Sequence, residues 1–236
     1  DALFACSYDQ EAALYDPARD ESAAEFAARI AAFAADPTSI QLELLGEDRV
    51  CLTVSAEYLD YAAENELETL VDFGILRNAF LCDAAADALA ERGYCRGVVS
   101  SLDGYARNLS GEKFGVNLFD RVDGTVIALG SVTYTAPAAL VICRAFPASA
   151  QEKPLFYTYA DGTVVPPYLN ASGLPSAAAP NLVTLSHEDS VAALALRTVA
   201  AFAEADAEFP TLTAFSWASV RDGAIATHGT DFQLGQ

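Results

Sequence analysis

The chain has 236 residues, 53% of them hydrophobic, and its 33 acidic side chains against 13 basic ones give a formal charge of −20. That length and apolar content can fill a real core, which excludes a disordered tail. An anionic surface of this strength repels phosphate backbones and anionic bilayers, so nucleic acid is not an expected partner.

Cysteines stand at Cys6, Cys51, Cys82, Cys95 and Cys143, an odd and widely spaced set without Cys-x-x-Cys. They form neither a disulfide framework nor a zinc site, and four of them sit in apolar runs as small hydrophobes. No apolar stretch approaches the roughly 20 residues that span a bilayer, so no membrane span is expected. A leader or lipid-anchor cysteine is not in view, and the compartment stays open.

In chain order, a first strand is expected around Leu3–Tyr8, then an Ala-rich helix from Glu21 to about Ala35 with Phe26, Ile30 and Phe33 on one face, stopped by Asp36-Pro37. Strands follow at Ile40–Leu45 and Val50–Val54, turned by Gly46-Glu47-Asp48. The stretch Asp72 to Asp83 reads as the end of a strand, a glycine turn and the start of a helix. Leu76, Phe80, Leu81, Ala84, Ala85, Ala88 and Leu89 form that helix's apolar stripe, and Gly93 marks its end.

Strands are then expected at Val98–Ser101, Phe114–Phe119, Thr125–Leu129, Ala139–Phe146, Leu155–Tyr159 and Leu182–Leu185, with Asp123-Gly124 and Asp161-Gly162 as hairpin turns. The Pro- and Ser-rich segment from Pro166 to Pro180 is a long loop of the kind that carries function. A helix from about Glu188 to Ala205 and a terminal hairpin, Thr213–Ser219 with Ala224–Thr227 around Arg221-Asp222-Gly223, close the chain. The whole reads as one α+β domain, with mixed or antiparallel sheets flanked by helices.

The twelve residues Asp72-Phe-Gly-Ile-Leu-Arg-Asn-Ala-Phe-Leu-Cys-Asp83 resemble a motif of the ApbE family of flavin transferases, Asp-Leu-Gly-Gly-Ile-Ala-Lys-Gly-Tyr-Ala-Val-Asp, with both aspartates in register. Further along, Val99-Ser100-Ser101-Leu102-Asp103-Gly104 stands where that family has Val-Asn-Leu-Gly-Gly-Asp, and Phe114-Gly115-Val116-Asn117-Leu118 where it has Trp-x-Val-x-Ile. Ala148-Ser149-Ala150 keeps only the serine of Thr-Ser-Gly. Asn170, Ser172, Gly173 and Pro175 fall in the family's His-Ile-x-Asp-Pro-x-Thr-Gly-x-Pro, and Thr198 falls at the threonine of Ala-Asp-Ala-Leu-Ala-Thr.

The resemblance runs from about Leu67 to His228 as an ordered series of weak motifs. It implies an ApbE-like fold in which Ser100, Asp103, Gly104, Ser149, Asn170 and Gly173 border a cleft for FAD or FMN, and Thr198 is a Mg²⁺ ligand. It also implies a bacterial protein of extracytoplasmic, lipoprotein type and, if the chain is an active transferase, a protein Ser or Thr as acceptor. No catalytic residue is assigned.

The departures weigh more than the matches. Moving a phosphoryl-linked group requires charge neutralisation at a diphosphate by Mg²⁺ on hard oxygen ligands. Leu194 stands where the family has its metal-binding aspartate, and Asp103 would face the diphosphate with a second negative charge.

Ordinary structural roles compete at every position. Asp72 and Asp83 read as caps or hydrogen-bonding residues at the turn, Thr198 as a buried threonine bonding back along its helix, Ser149 and Gly173 as loop residues, and His187 as a helix cap. Three functions follow in order: a non-catalytic flavin- or small-molecule-binding domain, a Mg²⁺-dependent FMN transferase with a rearranged metal site supplied by Asp103, Asn170 and Thr198, and an interaction domain with an empty cleft.

Overall fold

The structure, a computed structural model, describes residues 17–46, 49–67, 69–71, 73–135, 137–204 and 208–235. The expected first strand at Leu3–Tyr8, together with Cys6, Glu47, Asp48, Asp72 and Ala205, lies outside the described residues. The fold is α+β, and among the described residues every strand pairing is antiparallel. The chain divides into two compact units, one formed by residues through Gly74 together with Leu169–Leu174, the other by Ile75–Tyr168 and the chain from Pro175.

The first unit holds helix α1 (Glu21–Ala35), strands β1 (Ile40–Gly46) and β2 (Arg49–Val54), and helix α2 (Ala56–Glu64). Asp20 caps α1 by accepting the Ala23 N–H at 2.8 Å. Past its end, the Asp36 carboxylate accepts from the Thr38 N–H, the Thr38 hydroxyl and the Ser39 hydroxyl, and these bonds hold its carboxyl below the ordinary value. Helix α2 has no counterpart in the expected elements. Ser55 caps it through the Tyr58 N–H, and Phe33 of α1 packs on Tyr58 and Tyr61 at ring separations of 5.1 and 5.4 Å.

The second unit is built on a six-stranded sheet in the order β12-β11-β10-β7-β4-β3. Its strands are β3 (Val98–Ser100), β4 (Tyr105–Asn108), β7 (Ala138–Arg144), β10 (Asn181–Ser186), β11 (Ser216–Arg221) and β12 (Ala224–His228). Alternation decides which face each residue serves. Tyr105, Val141, Cys143 and Leu182 face helices α3 (Arg77–Glu91) and α4 (Val191–Ala203). Ala106, Leu140, Val183 and Leu185 face a second sheet formed by β5 (Phe114–Val122), β6 (Thr125–Tyr134) and β13 (Gln233–Gly235), where they meet Leu118, Val132 and Tyr134. A sheet covered on both sides explains why β10 is buried at all six positions.

Asp123-Gly124 and Asp222-Gly223 make the expected turns with both residues at positive φ, as two-residue hairpins require. Strands β5 and β6 run longer than expected. Tyr157–Thr158 (β8) and Val164–Val165 (β9) reduce the expected strand at Leu155–Tyr159 to a two-residue pairing. Strands β4 and β13 are additions.

Two expectations near Asp72 are corrected. Leu70 and Val71 before it form a bend rather than a strand, and a 3₁₀ turn, Gly74–Leu76, leads into α3. The buried face of α3 is Ala79, Cys82 and Ala86, not the larger side chains: Phe80 is 45% and Leu81 55% exposed. The small residues let α3 approach β4 and α4 closely, and they turn Asp83 inward.

Candidate functional site

Asp83 acts at a distance in sequence. Its Oδ1 accepts the Val191 N–H at 2.9 Å and its Oδ2 the Ala192 N–H at 2.8 Å, so a carboxylate in the middle of α3 caps the first turn of α4. Free N–H groups and the helix dipole make such a terminus attractive to anions; here the chain supplies its own. Ser190 completes the cap through the Ala193 N–H. Arg107 of β4 lies 3.7 Å from Asp83 Oδ1 and donates to the Asp189 carbonyl at 3.0 Å, which ties the loop before α4 to the sheet. Capping within its own strand–helix turn was the expectation for Asp83. The cap is real but belongs to another helix.

Asn78, Cys82 and Asp83 of α3 lie beside the turn joining β3 to β4, where Ser100, Asp103 and Gly104 are placed. Ser100 ends β3, paired with Ala106 and exposed. Asp103 is half-buried. Its Oδ2 accepts from Asn78 Nδ2 at 2.8 Å, while Oδ1 is shut away from solvent with no hydrogen-bond partner. Gly104 has φ +95°, and a Cβ there would fall 2.1 Å from the Ile142 carbonyl oxygen. The Ile142 N–H donates to the Gly104 carbonyl at 2.8 Å, so glycine is required by the close pass of β7.

Nearby thiols are poor nucleophiles. Burial pushes the Cys82 thiol up, and the Asp103 and Asp83 carboxylates push it further; burial raises Cys143 to about 12.

Thr198 is fully buried on α4, with its hydroxyl 2.7 Å from that of Thr184 on β10. The expected bond back along the helix is thus replaced by one to the sheet. As a test of fit for Mg²⁺, this donor set fails. It offers two neutral hydroxyls already bonded to each other, among Leu194, Ala195 and Phe202, whereas Mg²⁺ needs carboxylates and room for waters. Among the described residues, no three His, Cys, Asp or Glu side chains gather in a metal-binding group.

Ser149 is half-buried in the loop after β7. That loop is fixed by Glu152, whose carboxylate accepts from Arg144 Nη1 and from the Ala148 N–H, both at 2.8 Å. Asn170 and Gly173 belong to the first unit. Asn170 Oδ1 accepts the Ser172 and Leu174 N–H groups, and a Cβ on Gly173 would sit 2.8 Å from the Ala27 carbonyl oxygen. Both residues shape their turn.

His187 is not a helix cap; its Nδ1 donates to the Pro137 carbonyl at 2.9 Å. Its Nε2 lies 3.9 Å from Asp231, and Asp231 accepts from the Ser216 hydroxyl at 2.7 Å. These three residue types do not make a nucleophilic triad, because the aspartate stands between the other two and no imidazole reaches the serine, itself 2% exposed.

Sequence reasoning missed Asn78, Arg107, Asp189 and Thr184. The one local signal was Asn78, a polar residue one turn before Cys82 on the face that is buried. No helix among the described residues is long and apolar enough to cross a membrane. No protein-family model, no curated protein and no solved structure matches the chain.

Proposed function

We propose that the chain is a divergent, non-catalytic relative of the flavin transferases that binds a flavin or another small molecule bearing hydrogen-bond donors, at the turn between β3 and β4. The observation that carries this reading is Asp103 Oδ1, a carboxylate oxygen buried without a donor. An acceptor in that position costs about 1–3 kcal/mol unless something donates to it. A flavin ring has an N–H between two carbonyls, and its ribityl chain has hydroxyls; either would complete the site, provided the β3–β4 turn shifts to uncover an oxygen that solvent does not touch.

Three further features favour binding over group transfer. Asp103 repels a diphosphate, Asp83 already fills the anion-attracting terminus of α4, and Thr198 spends its hydroxyl on Thr184. Ligand affinity should therefore come from the uncharged part of the molecule.

Calorimetric titration with riboflavin and FAD, each in Mg²⁺ and in EDTA, separates the readings. Binding without transfer predicts saturable riboflavin binding that Mg²⁺ does not change and that FAD does not improve. Mg²⁺-dependent FAD binding with release of AMP would instead establish an active transferase. Failure of both ligands would leave the interaction reading, which one observation favours: Leu42 and Leu52 are paired across β1 and β2, and both are exposed.

A further inference from the structure

Helix α3 is apolar on two sides. Ala79, Cys82 and Ala86 are packed into the second unit, while Leu81, Ala84 and Ala85 lie exposed on the other face, with Phe80 45% exposed beside them. A helix that is apolar all round is ordinarily covered all round, and this outer stripe is the one that periodicity marks in the sequence.

The charges on the outer face are ordered. At about 100° per residue, Arg77, Ala84 and Glu91 fall within about 20° of one line along the helix, two turns apart and opposite the buried side. Arg77 and Glu91 are exposed, and among the described residues neither enters an ion pair. The remaining charges lie off the line. Asp83 is spent on α4, Asp87 stands about a sixth of a turn to one side of Ala84, and the C-cap residue Arg92 about a quarter of a turn to the other.

We infer that this face of α3 binds the same face of a second copy of the chain, the two helices running antiparallel about a two-fold axis at Ala84. Charge selects the arrangement. With Ala84 on the axis, a residue before it meets one equally far after it, so Arg77 of each copy faces Glu91 of the other, and the symmetry makes two such pairs. Leu81 then lies against Ala88 of the second copy, large beside small, and alanine at the crossing lets the helices approach closely. Parallel helices would set Arg77 on Arg77 and Glu91 on Glu91. A small ligand would find a convex helix face rather than a pocket, and a charge of −20 repels an anionic bilayer.

The contact is small. Helix α3 has 15 residues, about 22 Å of length, which places the interface at the low end of area and makes the dimer weak and reversible. The net charge opposes association at long range but is screened beyond about 8 Å at physiological ionic strength.

Sedimentation velocity of the whole chain over the micromolar range tests this, at physiological ionic strength and with reductant because Cys95 is exposed. Wild type should dimerise reversibly. Arg77→Glu and Glu91→Arg each set like charges across both contacts and should weaken the dimer by about tenfold or more; both suit the helix dipole, so neither threatens the fold. An equal mixture of the two variants has opposite charges at both contacts and should form a heterodimer as tight as the wild-type dimer. Ala84→Lys, at an exposed position, opposes two ammonium groups on the axis and should abolish association with Tm unchanged. A wild type that stays monomeric would overturn the inference, as would a dimer that survives Ala84→Lys or charge variants that fail to complement each other.

Discussion

Replacing Asp83 by Ala removes one side chain from α3 but strikes at α4. The Val191 and Ala192 N–H groups each lose an acceptor, and the carboxylate that faced Arg107 is gone. Hydrogen bonds to a charged group contribute about 1.5–3 kcal/mol each when buried, and a helix cap about 1 kcal/mol. The Asp83 side chain is 17% exposed, so solvent replaces little of this. A total of about 3–4 kcal/mol is expected for Asp83→Ala, or a fall in Tm of roughly 6–16 °C for a chain of this size. Asp83→Asn keeps one acceptor oxygen and the same shape, and should lose about half as much. Urea denaturation followed by far-UV circular dichroism gives both values, with the m-value as a check that the unfolded state is unchanged. A loss below about 0.5 kcal/mol for Asp83→Ala, the usual range of a surface substitution, would refute the idea that this carboxylate caps α4. An Asn variant no better than Ala would refute it as well.

Stability should fall on the alkaline side. Burial raises Cys143 from 9.0 to about 12 and also raises Tyr105 and Tyr168 above their ordinary value. A group held neutral by the fold stabilises it fully below its unfolded pKa and loses that contribution as pH climbs towards the folded one. For Cys143 the loss is about 1.4 kcal/mol per pH unit from near 9 upwards, so Tm measured from pH 8 to 11 should drop progressively, and a flat profile would contradict the burial argument. Gly104→Ala combines φ +95° with a Cβ 2.1 Å from the Ile142 carbonyl oxygen, and should cost more than about 2 kcal/mol in a denaturant titration; a neutral result would mean β7 has room to move. Thr198→Val strands the Thr184 hydroxyl and should cost about 1–3 kcal/mol. Adding Thr184→Val should recover part of that, and a strictly additive double mutant would deny the bond between them.

Much of the second unit was legible because its signals are local. In Asp123-Gly124 and Asp222-Gly223 both residues take positive φ and close two-residue turns that could be read locally, whereas in Asp161-Gly162 only the glycine does and the pair lies in the longer loop between Thr158 and Val164. Helix α1 was equally plain from the Phe26, Ile30 and Phe33 spacing and its stop at Asp36. The face of α3 was not, because hydrophobicity favours Phe80 and Leu81 whereas the helix is oriented by Asp83, whose partners lie more than a hundred residues away. Thr198 misled for the same reason: its partner Thr184 sits on a strand that no helical spacing could bring to it. Asp103 and Gly104 were both singled out as bordering a cleft, but only the geometry separates their roles, Gly104 making room for β7 and Asp103 keeping one oxygen unmatched.

That unmatched oxygen is where the account is most directly tested, by titrating wild-type protein and Asp103→Asn with riboflavin under identical conditions. A carboxylate that accepts from the ligand predicts saturable binding to wild type and at least tenfold weaker binding to Asp103→Asn, with Tm little changed. Equal affinity in the two proteins, or no binding to wild type, would contradict it.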